Sequence, residues 1–382
     1  MKALLLISKI LLHLVGIAFL LLYLNVVIYE WPESSPFNGS VWYNPYENVL
    51  RNDPLRANFH AHTRSWAGVT FGENSEKEMA DAYSERRYDI IGISNYHSIS
   101  TYLDSSQLYI PVYEHGLNAL KVHNLPLGAT EVLLPLYPVH FTIHQTQQML
   151  LRTAGISRLN ALCHPTMSRI APRKMSRLTG YSLLEVGNTL GMSVEHWDMA
   201  LSSGRLVWIL SNDDTHDLVN EPTFIKWNMI YAGQKNSTAA LYAMQAGAHY
   251  GVESYMGQCE NTRVSTYRIS GDTLVIGLDQ PVNRIDLYGQ DGALLASAGN
   301  TAHISYKLKQ GDTYVRSEAH MDECVYYFNP VVRTIDGVPV LASSVIPAKN
   351  TLASWLIRIA LSIVIILLSA RIYRFATRSV RT

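Results

Sequence analysis

Two long apolar segments near the ends of the chain constrain its fold more than any other feature. Residues 10–29 read "ILLHLVGIAFLLLYLNVVIY" and carry no formal charge. About 20 apolar residues, rising about 1.5 Å each in a helix, are enough to cross the hydrocarbon core of a bilayer. Residues 352–373 form a second such run, in which Arg358 lies close enough to one end to extend its guanidinium to the interface. The sequence therefore predicts two transmembrane helices.

The basic residues beside these segments predict their orientation. Lys and Arg near the ends of a span are retained on the cytoplasmic side of the membrane. Such residues precede the first segment and follow the second: Lys2, Lys9, Arg371, Arg374, Arg378 and Arg381. We expect both termini in the cytoplasm and roughly residues 30–351 on the outer side. A cleaved signal peptide is the alternative for the first segment, but "EWPESSPFNGS" after it lacks a convincing small-x-small cleavage site.

The composition of the 382-residue chain excludes two broad classes of protein. Hydrophobic residues make up 48% and charged residues 16%, and the formal net charge is zero. This chain is too apolar and too weakly charged for disorder or generic nucleic-acid binding, so no nucleic-acid partner is expected. Three cysteines are an odd number in a large domain, and no disulfide scaffold is implied. In an oxidising compartment, Cys259 and Cys324 are a candidate pair.

The part of the chain between the apolar segments changes in pattern near residue 262. From about 54 to 260, short apolar runs such as "YDIIGIS" and "RLVWILS" alternate with helix-like stretches such as "SEKEMADAYSERR". This alternation predicts parallel βαβ units, and therefore an α/β barrel or an open doubly wound sheet. From 262 to about 340, short alternating strands follow one another through Gly-Asp and Asp-Gly turns, which indicates a small antiparallel β domain.

Histidines and acidic residues stand at the ends of the predicted strands. His60 and His62 in "FHAHT" are two positions apart, so on a strand both side chains leave the same face. Asp214 and His216 repeat this spacing after the run "RLVWILS". Other apolar segments end in further candidates: Glu131 in "LGATEV", His140 in "PVHF" and His164 in "LCHP". Each of these residues alone is by default a core or surface residue, but their shared position predicts a centre of two or three metal ions.

The chemistry of these side chains indicates which metals they would hold. The carboxyl ends of parallel strands meet at one mouth of a barrel, where such folds carry their chemistry. Mixed nitrogen and oxygen ligands suit Zn²⁺, Mn²⁺ or Fe better than Ca²⁺ or Mg²⁺, which prefer oxygen alone.

The order of these motifs resembles that of the polymerase and histidinol phosphatase (PHP) superfamily of metal-dependent phosphoesterases. The resemblance spans about residues 54–260 and comprises "FHAHT", "ATE", a lone His, "CHP", "EVGN" (Glu185 to Asn188) and "NDDTH". It implies a distorted (β/α)7-type barrel, followed by the antiparallel β domain of residues 262–340. It also implies a first metal site comprising His60, His62, Glu131 and Asp214, and a second comprising Glu131, His140 and His164.

The chain departs from the superfamily pattern at the third metal site. Where the pattern has Asp-His, this chain reads "SNYHS", so His97 comes one residue late. A one-residue slip on a strand sends a side chain to the opposite face, although a bulge would let His97 ligate. No His, Asp or Glu follows His62 within reach in "TRSWAGV", and His216 is the ligand that the chain retains. We expect two cations, with a third site weak or absent.

The resemblance implies hydrolysis of a phosphate ester, as a phosphatase or phosphodiesterase, by a hydroxide that bridges two metal ions. Asp214 and Glu131 would hold these ions, and Arg64 is the nearest candidate to bind the substrate phosphate. Arg173 and Lys174 are more typical of a solvated surface. A membrane-embedded enzyme facing outward would act on a phosphorylated small molecule, a lipid headgroup or an envelope polymer.

Two other functions stay open. The missing ligands of the third site are also a feature of a catalytically degraded domain, which would bind metal and act as a membrane-tethered binding or scaffold protein. The complete two-metal set favours the enzyme. Amidohydrolase barrels also begin with His-x-His, but they usually carry a metal-bridging Lys, and no Lys stands at a predicted strand end.

Overall fold

The computed structural model describes residues 2–49, 53–68, 72–139, 142–255, 259 and 262–379. The helices are α1 (Lys2–Leu21), α2 (Glu76–Glu85), α3 (Ile143–Ala154), α4 (Val194–Ser202), α5 (Ser237–Gln245) and α6 (Thr351–Ser379). The strands are β1 (Ile28–Glu30), β2 (Val41–Tyr43), β3 (Leu55–Asn58), β4 (Ile90–Ile91), β5 (Asn124–Leu127), β6 (Leu159–Leu162), β7 (Leu183–Asn188), β8 (Gly191–Met192), β9 (Trp208–Asn212), β10 (Lys226–Ile230), β11 (His249–Ser254), β12 (Val264–Ser270), β13 (Thr273–Tyr288), β14 (Leu294–Lys307), β15 (Tyr314–His320), β16 (Cys324–Thr334) and β17 (Ala348–Asn350).

The two apolar segments form helices α1 and α6, which contact each other. Leu4–Leu21 and Thr351–Thr377 are long and apolar enough to cross a membrane. A helix that is apolar on all sides needs a protein core or lipid around it, and almost none of either segment is buried in the protein. The first helix ends at Leu21 instead of near residue 29, because Tyr23 and Val26 pack on Tyr137 of the globular part.

A short sheet joins the ends of these helices to the rest of the chain. β1 and β17 pair antiparallel, with Ile28 opposite Asn350. Arg358 of α6 donates from Nε to the carbonyl oxygen of Val26 at 3.0 Å, and the amide of Ile28 donates to Ser354 Oγ at 2.9 Å. The globular part therefore begins and ends side by side, at one end of the helix pair.

Two curled sheets form the globular part of this mixed α/β fold. Among the described residues the larger sheet has ten strands, in the order β12-β13-β15-β16-β11-β10-β3-β4, with β14 beside β13 and β2 beside β16. The smaller sheet has the order β5-β6-β7-β8, with β9 beside β7. Only isolated bridges, Ala61 to Thr215, Tyr96 to Glu114 and His115 to Asn124, connect the edges of the two sheets. The expected distorted (β/α)7-type barrel is therefore not observed in the described part of the chain.

The antiparallel strands after residue 262 continue the larger sheet. β11 pairs with β10 on one side and with β16 on the other, where Tyr250 lies opposite Phe328. Pairing with β16 covers an edge that β11 would otherwise expose. Cys259 and Cys324 form a disulfide at this junction, with their Cα atoms 6.0 Å apart. One hydrophobic core extends across both parts of the sheet.

A buried histidine on β11 makes the stability of this fold depend on pH. His249 is fully buried, and its Nε2 lies 2.7 Å from the carbonyl oxygen of Ile209 on β9. Burial lowers the pKa of the His249 imidazole to about 4. The unfolded chain, with a histidine pKa of about 6.5, binds more protons than the folded chain between these values. Stability is therefore lost as the pH falls through this window.

We expect the variant His249→Gln, whose amide retains a donor for Ile209, to be less sensitive to acid. Between about pH 7 and pH 4, the free energy of unfolding of the natural protein should fall by about 3 kcal/mol more than that of the variant. Denaturant unfolding of the full chain in detergent, followed by tryptophan fluorescence at both pH values, measures this difference. An equal fall in the two proteins would contradict the assignment.

Candidate metal centre

Four of the predicted ligands lie together in the structure. They are His60, His62, His164 and Asp214, and all are buried. The histidine pair follows β3 and the aspartate follows β9, and the parallel bridge from Ala61 to Thr215 holds the two segments side by side. His164 and Asp214 have φ values of +26° and +56°. Non-glycine residues are rare in this region of backbone space and cluster at functional sites.

The distances within this group fit a bound cation. His60 Nε2 is 3.1 Å from Asp214 Oδ1, and His62 Nε2 is 3.3 Å from the same oxygen. His62 Nε2 is also 3.1 Å from Oε2 of Glu114. Donor atoms on a tetrahedral cation with bonds of about 2.0 Å stand about 3.3 Å apart. The observed spacing is therefore that of ligands around one ion.

Glu114 lies at the centre of the cluster, although the sequence did not single it out. Its Oε1 is 2.5 Å from His123 Nδ1, 3.2 Å from His164 Nε2 and 3.3 Å from His60 Nε2, while its Oε2 faces His62. A carboxylate with one oxygen toward each of two ligand groups is placed to bridge two cations.

The strand pattern of the sequence did not predict Glu114 and His123 as ligands, because both stand outside regular apolar strands. Glu114 is held by single bridges to its neighbours, and His123 comes just before β5 instead of at its carboxyl end. The one signal was composition: "VYEHGLNALKVHN" places a glutamate and two histidines within a short loop.

Glu131, expected to bridge the metals, is exposed and belongs to none of the described groups of metal-capable atoms. β5 ends at Leu127, and Gly128 adopts a φ of +69°, which turns the following chain toward the surface. The structure therefore puts Glu114 where the sequence predicted Glu131. His140, the predicted second-site ligand, lies outside the described residues, and His123 stands beside His164 in its place.

His97 does not join the cluster. Its Nδ1 lies 3.2 Å from the carbonyl oxygen of Leu133, and its Nε2 accepts a hydrogen bond from the amide of Gly116 at 3.2 Å. Burial lowers the pKa of this imidazole, which agrees with a neutral ring that donates from one nitrogen and accepts at the other. The one-residue displacement relative to Asp-His thus turns His97 into a link between two loops.

The remaining predicted residues lie beside the cluster or away from it. His216 stacks on His62 with ring centres 4.3 Å apart, and its Nδ1 is 2.9 Å from the carbonyl oxygen of Asp214. Arg64 is exposed and donates to the carbonyl oxygen of Glu73 at 2.6 Å. Arg173 and Lys174 lie in the short 3-10 helix Pro172–Ser176.

Five buried ligand atoms lack a hydrogen-bond partner among the described residues: His60 Nε2, His62 Nε2, Glu114 Oε2, His123 Nδ1 and Asp214 Oδ1. They approach one another closely but without hydrogen-bond geometry. Each unsatisfied buried polar group costs about 1–3 kcal/mol, and a charged group costs more. Metal ions between these atoms would satisfy all five, so the residues present fit the metals that the motif order implies.

The electrostatics of the cluster lead to the same conclusion. Burial alone would raise the pKa of Glu114, but positive charge on His123 and His60 outweighs it and holds that pKa well below its usual value. Burial opposes protonation of His60, yet Asp214, Glu185 and Glu114 raise its pKa well above normal. These buried carboxylates therefore require nearby positive charge, which divalent cations would supply while leaving the imidazoles neutral.

Glu185 on β7 orients the ligands from outside. Its Oε1 lies 2.9 Å from His60 Nδ1, which leaves His60 Nε2 facing the cluster, and its Oε2 accepts from the amide of His164 at 3.0 Å. Carboxylates that hold the second ring nitrogen of a metal-binding histidine are a recurrent feature of metal sites. Cys163 lies nearby, but burial and the surrounding carboxylates raise the pKa of its thiol well above normal, so it stays protonated.

Comparison with known proteins adds one structural match. No family model matches the chain, and no curated protein matches it. A solved structure from Bacteroides vulgatus ATCC 8482, described as a two-domain protein containing a predicted PHP-like metal-dependent phosphoesterase, matches with a TM-score of 0.38 and 9% identity. The match covers 84% of this chain and 99% of that chain. Similarity at this level does not transfer function, which must be inferred from the residues of the chain itself.

The position of Glu114 can be tested by comparing two conservative variants. We expect Glu114→Gln to weaken metal binding by at least about 100-fold, because it removes the shared anionic ligand. Glu131→Gln, an equivalent change in an exposed side chain, should bind metal like the natural protein. Elemental analysis after dialysis of the full chain against a metal buffer measures both. Metal loss in the Glu131 variant, or full retention in the Glu114 variant, would contradict this arrangement.

Proposed function

We propose that this protein is a metal-dependent phosphoesterase with two divalent cations, Zn²⁺ or Mn²⁺, at the centre. The observation that carries the proposal is a set of five buried ligand atoms without a hydrogen-bond partner among the described residues, one on each of His60, His62, Asp214, His123 and Glu114. When bound, such cations lower the pKa of water and stabilise negative charge on a phosphoryl group.

Each ligand has a distinct role in this proposal. His60, His62 and Asp214 would hold one cation, and His123 with His164 would hold the other. Glu114, which lies between the two groups, would serve both cations. The His and Asp donors form two groups, and the Glu114 carboxylate is shared between them. This arrangement favours a binuclear centre over a single structural ion.

The residues at the expected third site support two cations over three. Asn95, in the position of the superfamily's aspartate, accepts from the amide of Thr63 at 2.7 Å and donates to its hydroxyl at 2.8 Å. Tyr96 stacks on His62, with ring centres 4.7 Å apart. Burial and the carboxylates of Glu114 and Asp214 raise the pKa of this phenol, so it stays a neutral donor beside the centre.

Hydrolysis is tested with the full chain in detergent, loaded with Mn²⁺ or Zn²⁺. We expect cleavage of para-nitrophenyl phosphate or bis-para-nitrophenyl phosphate, and a loss of at least about 100-fold in kcat/KM for Asp214→Asn. Asp272→Asn, a matched change in an exposed hairpin turn, should leave the rate unchanged. Bound metal without cleavage of either ester would contradict the enzyme and favour the alternative of a metal-binding scaffold.

We further propose that α1 and α6 cross a membrane with both termini in the cytoplasm and the metal centre outside. The flanking basic residues support this orientation. The disulfide between Cys259 and Cys324 supports it independently, since disulfides persist mainly in oxidising compartments.

The disulfide gives a direct test of this compartment. In the full chain isolated from its membrane and denatured without reductant, we expect one thiol, that of Cys163, to react with a maleimide. After reduction, all three cysteines should react. Reaction of three thiols before reduction would contradict an oxidising location.

A further inference from the structure

Two loops next to the metal centre expose large apolar side chains. Leu117 in the loop before β5 is 66% exposed, and Leu134 in the loop after β5 is 68% exposed. Leu120 and Val132 in the same loops are also exposed. We refer to these four residues as the apolar rim. Contiguous exposed apolar surface commonly marks a protein or membrane interaction site.

His97 makes the rim one surface. Its ring nitrogens contact the amide of Gly116 and the carbonyl oxygen of Leu133, each at 3.2 Å. These two residues immediately precede Leu117 and Leu134. The backbone next to Leu117 and the backbone next to Leu134, the two most exposed residues of the rim, are therefore bonded to a single imidazole.

The rim is joined to the end of the first membrane helix. Tyr23, which follows α1, donates from its hydroxyl to the carbonyl oxygen of Val139 at 2.7 Å and accepts from the Val139 amide at 2.9 Å. The neighbouring carbonyl oxygen of Pro138 accepts from the amide of Ala119 at 2.9 Å. The loop after β5 is thus bonded to Tyr23 beyond the end of α1, and the loop before β5 is bonded to the loop after it.

The same loops reach the metal centre. Ser168 Oγ donates to the carbonyl oxygen of Lys121 at 2.5 Å and lies 3.3 Å from Nδ1 of His164. Because the three residues from Ala119 to Lys121 extend no more than about 10 Å, the loop before β5 links the contact with Pro138 to the contact beside His164 over a short distance.

Two basic side chains and one acidic side chain, Glu131 next to Val132, lie in or beside the rim loops. Lys121 is exposed beside Leu120, and Arg152 donates from Nη1 to the carbonyl oxygen of Leu134 at 3.1 Å. Basic side chains next to inserted apolar ones are typical of surfaces that bind anionic lipid.

We propose that the apolar rim inserts into the bilayer interface around α1 and α6, and that the phosphate ester hydrolysed at the centre is carried by a membrane lipid. This inference rests on the proposed phosphoesterase function. A lipid surface is the partner that the observations favour, because the loop that carries Leu134 also carries Tyr137, which shares an apolar cluster with Tyr23 beyond α1 and with Leu361 of α6. Both of these helices are apolar on all sides. Exposed leucines at that position leave water when they enter the interface.

Insertion is tested without reference to catalysis. A cysteine introduced at Leu117 or Leu134 is labelled with bimane in the full chain; the natural thiols are either bonded to each other or buried. In phosphatidylcholine vesicles containing a lipid with a shallow nitroxide, we expect at least about twofold quenching at both positions. The matched control is Leu294→Cys on β14, an exposed leucine on a strand that does not pair with β1 or β17, and it should not be quenched. Equal fluorescence at all three positions would overturn insertion.

The substrate class is tested with the same vesicles. The natural protein should hydrolyse phosphatidic acid, a monoester, or phosphatidylglycerol, a diester, presented in the bilayer. Leu117→Glu combined with Leu134→Glu should lower that rate by at least about tenfold while leaving cleavage of water-soluble aryl phosphates within about twofold, because it alters access to lipid and not the centre. Leu294→Glu should change neither rate.

The outcomes separate the two proposals. Cleavage of aryl phosphates but of neither lipid, or an unchanged lipid rate in the double variant, would overturn the lipid substrate and indicate a soluble phosphate ester. If no aryl phosphate is cleaved and Asp214→Asn has no effect, the phosphoesterase function itself fails, and the lipid substrate fails with it. Quenching of the bimane label at the rim would still show, whatever the result of the activity assays, whether this surface contacts the bilayer.

Discussion

The buried carboxylate of Glu114 is the interaction on which the rest of the centre depends. Four imidazoles, from His60, His62, His123 and His164, approach its two oxygens. These side chains come from separate segments that flank strands of both sheets, whose described edges are joined by isolated bridges. Charged groups this deeply buried are tolerated when they are paired or bind metal. Folding around the centre and occupation of the centre by cations are therefore expected to stabilise each other.

Much of the fold could be predicted from local sequence, because the apolar runs mark buried strands. "YDIIGIS" contains β4, "RLVWILS" overlaps β9, and "SEKEMADAYSERR" contains α2. Which strands pair could not be predicted in the same way. A barrel and two curled sheets use similar strands, and the pairing of β11 with β16 joins residues far apart in the chain. The end of the first helix was misplaced because contacts of Tyr23 and Val26 with Tyr137, and not hydropathy, decide where it stops.

The candidate site was predictable wherever a ligand follows a regular strand. His60, His62, His164 and Asp214 all stand at such positions, and the structure brings them together. The prediction of Glu131 did not hold for a conformational reason, since one glycine with positive φ redirects the chain. Glu114 and His123 lie on irregular backbone that periodicity does not detect. Local patterns thus identified the ligands on strands, while those on loops required the tertiary structure.

The pairing of β1 with β17 also has a consequence for how the chain is made. Ile28 meets its partner Asn350 only after residues 29–349 have been synthesised. Domains tend to fold from the N-terminus during synthesis, and closing so long a loop comes late. The amide of Ile28, which donates to Ser354 Oγ, must therefore wait in water until α6 is made, whereas the amide of Tyr29 can already donate to His144 on α3. A chain cut short before residue 348 would lack the strand that closes this sheet.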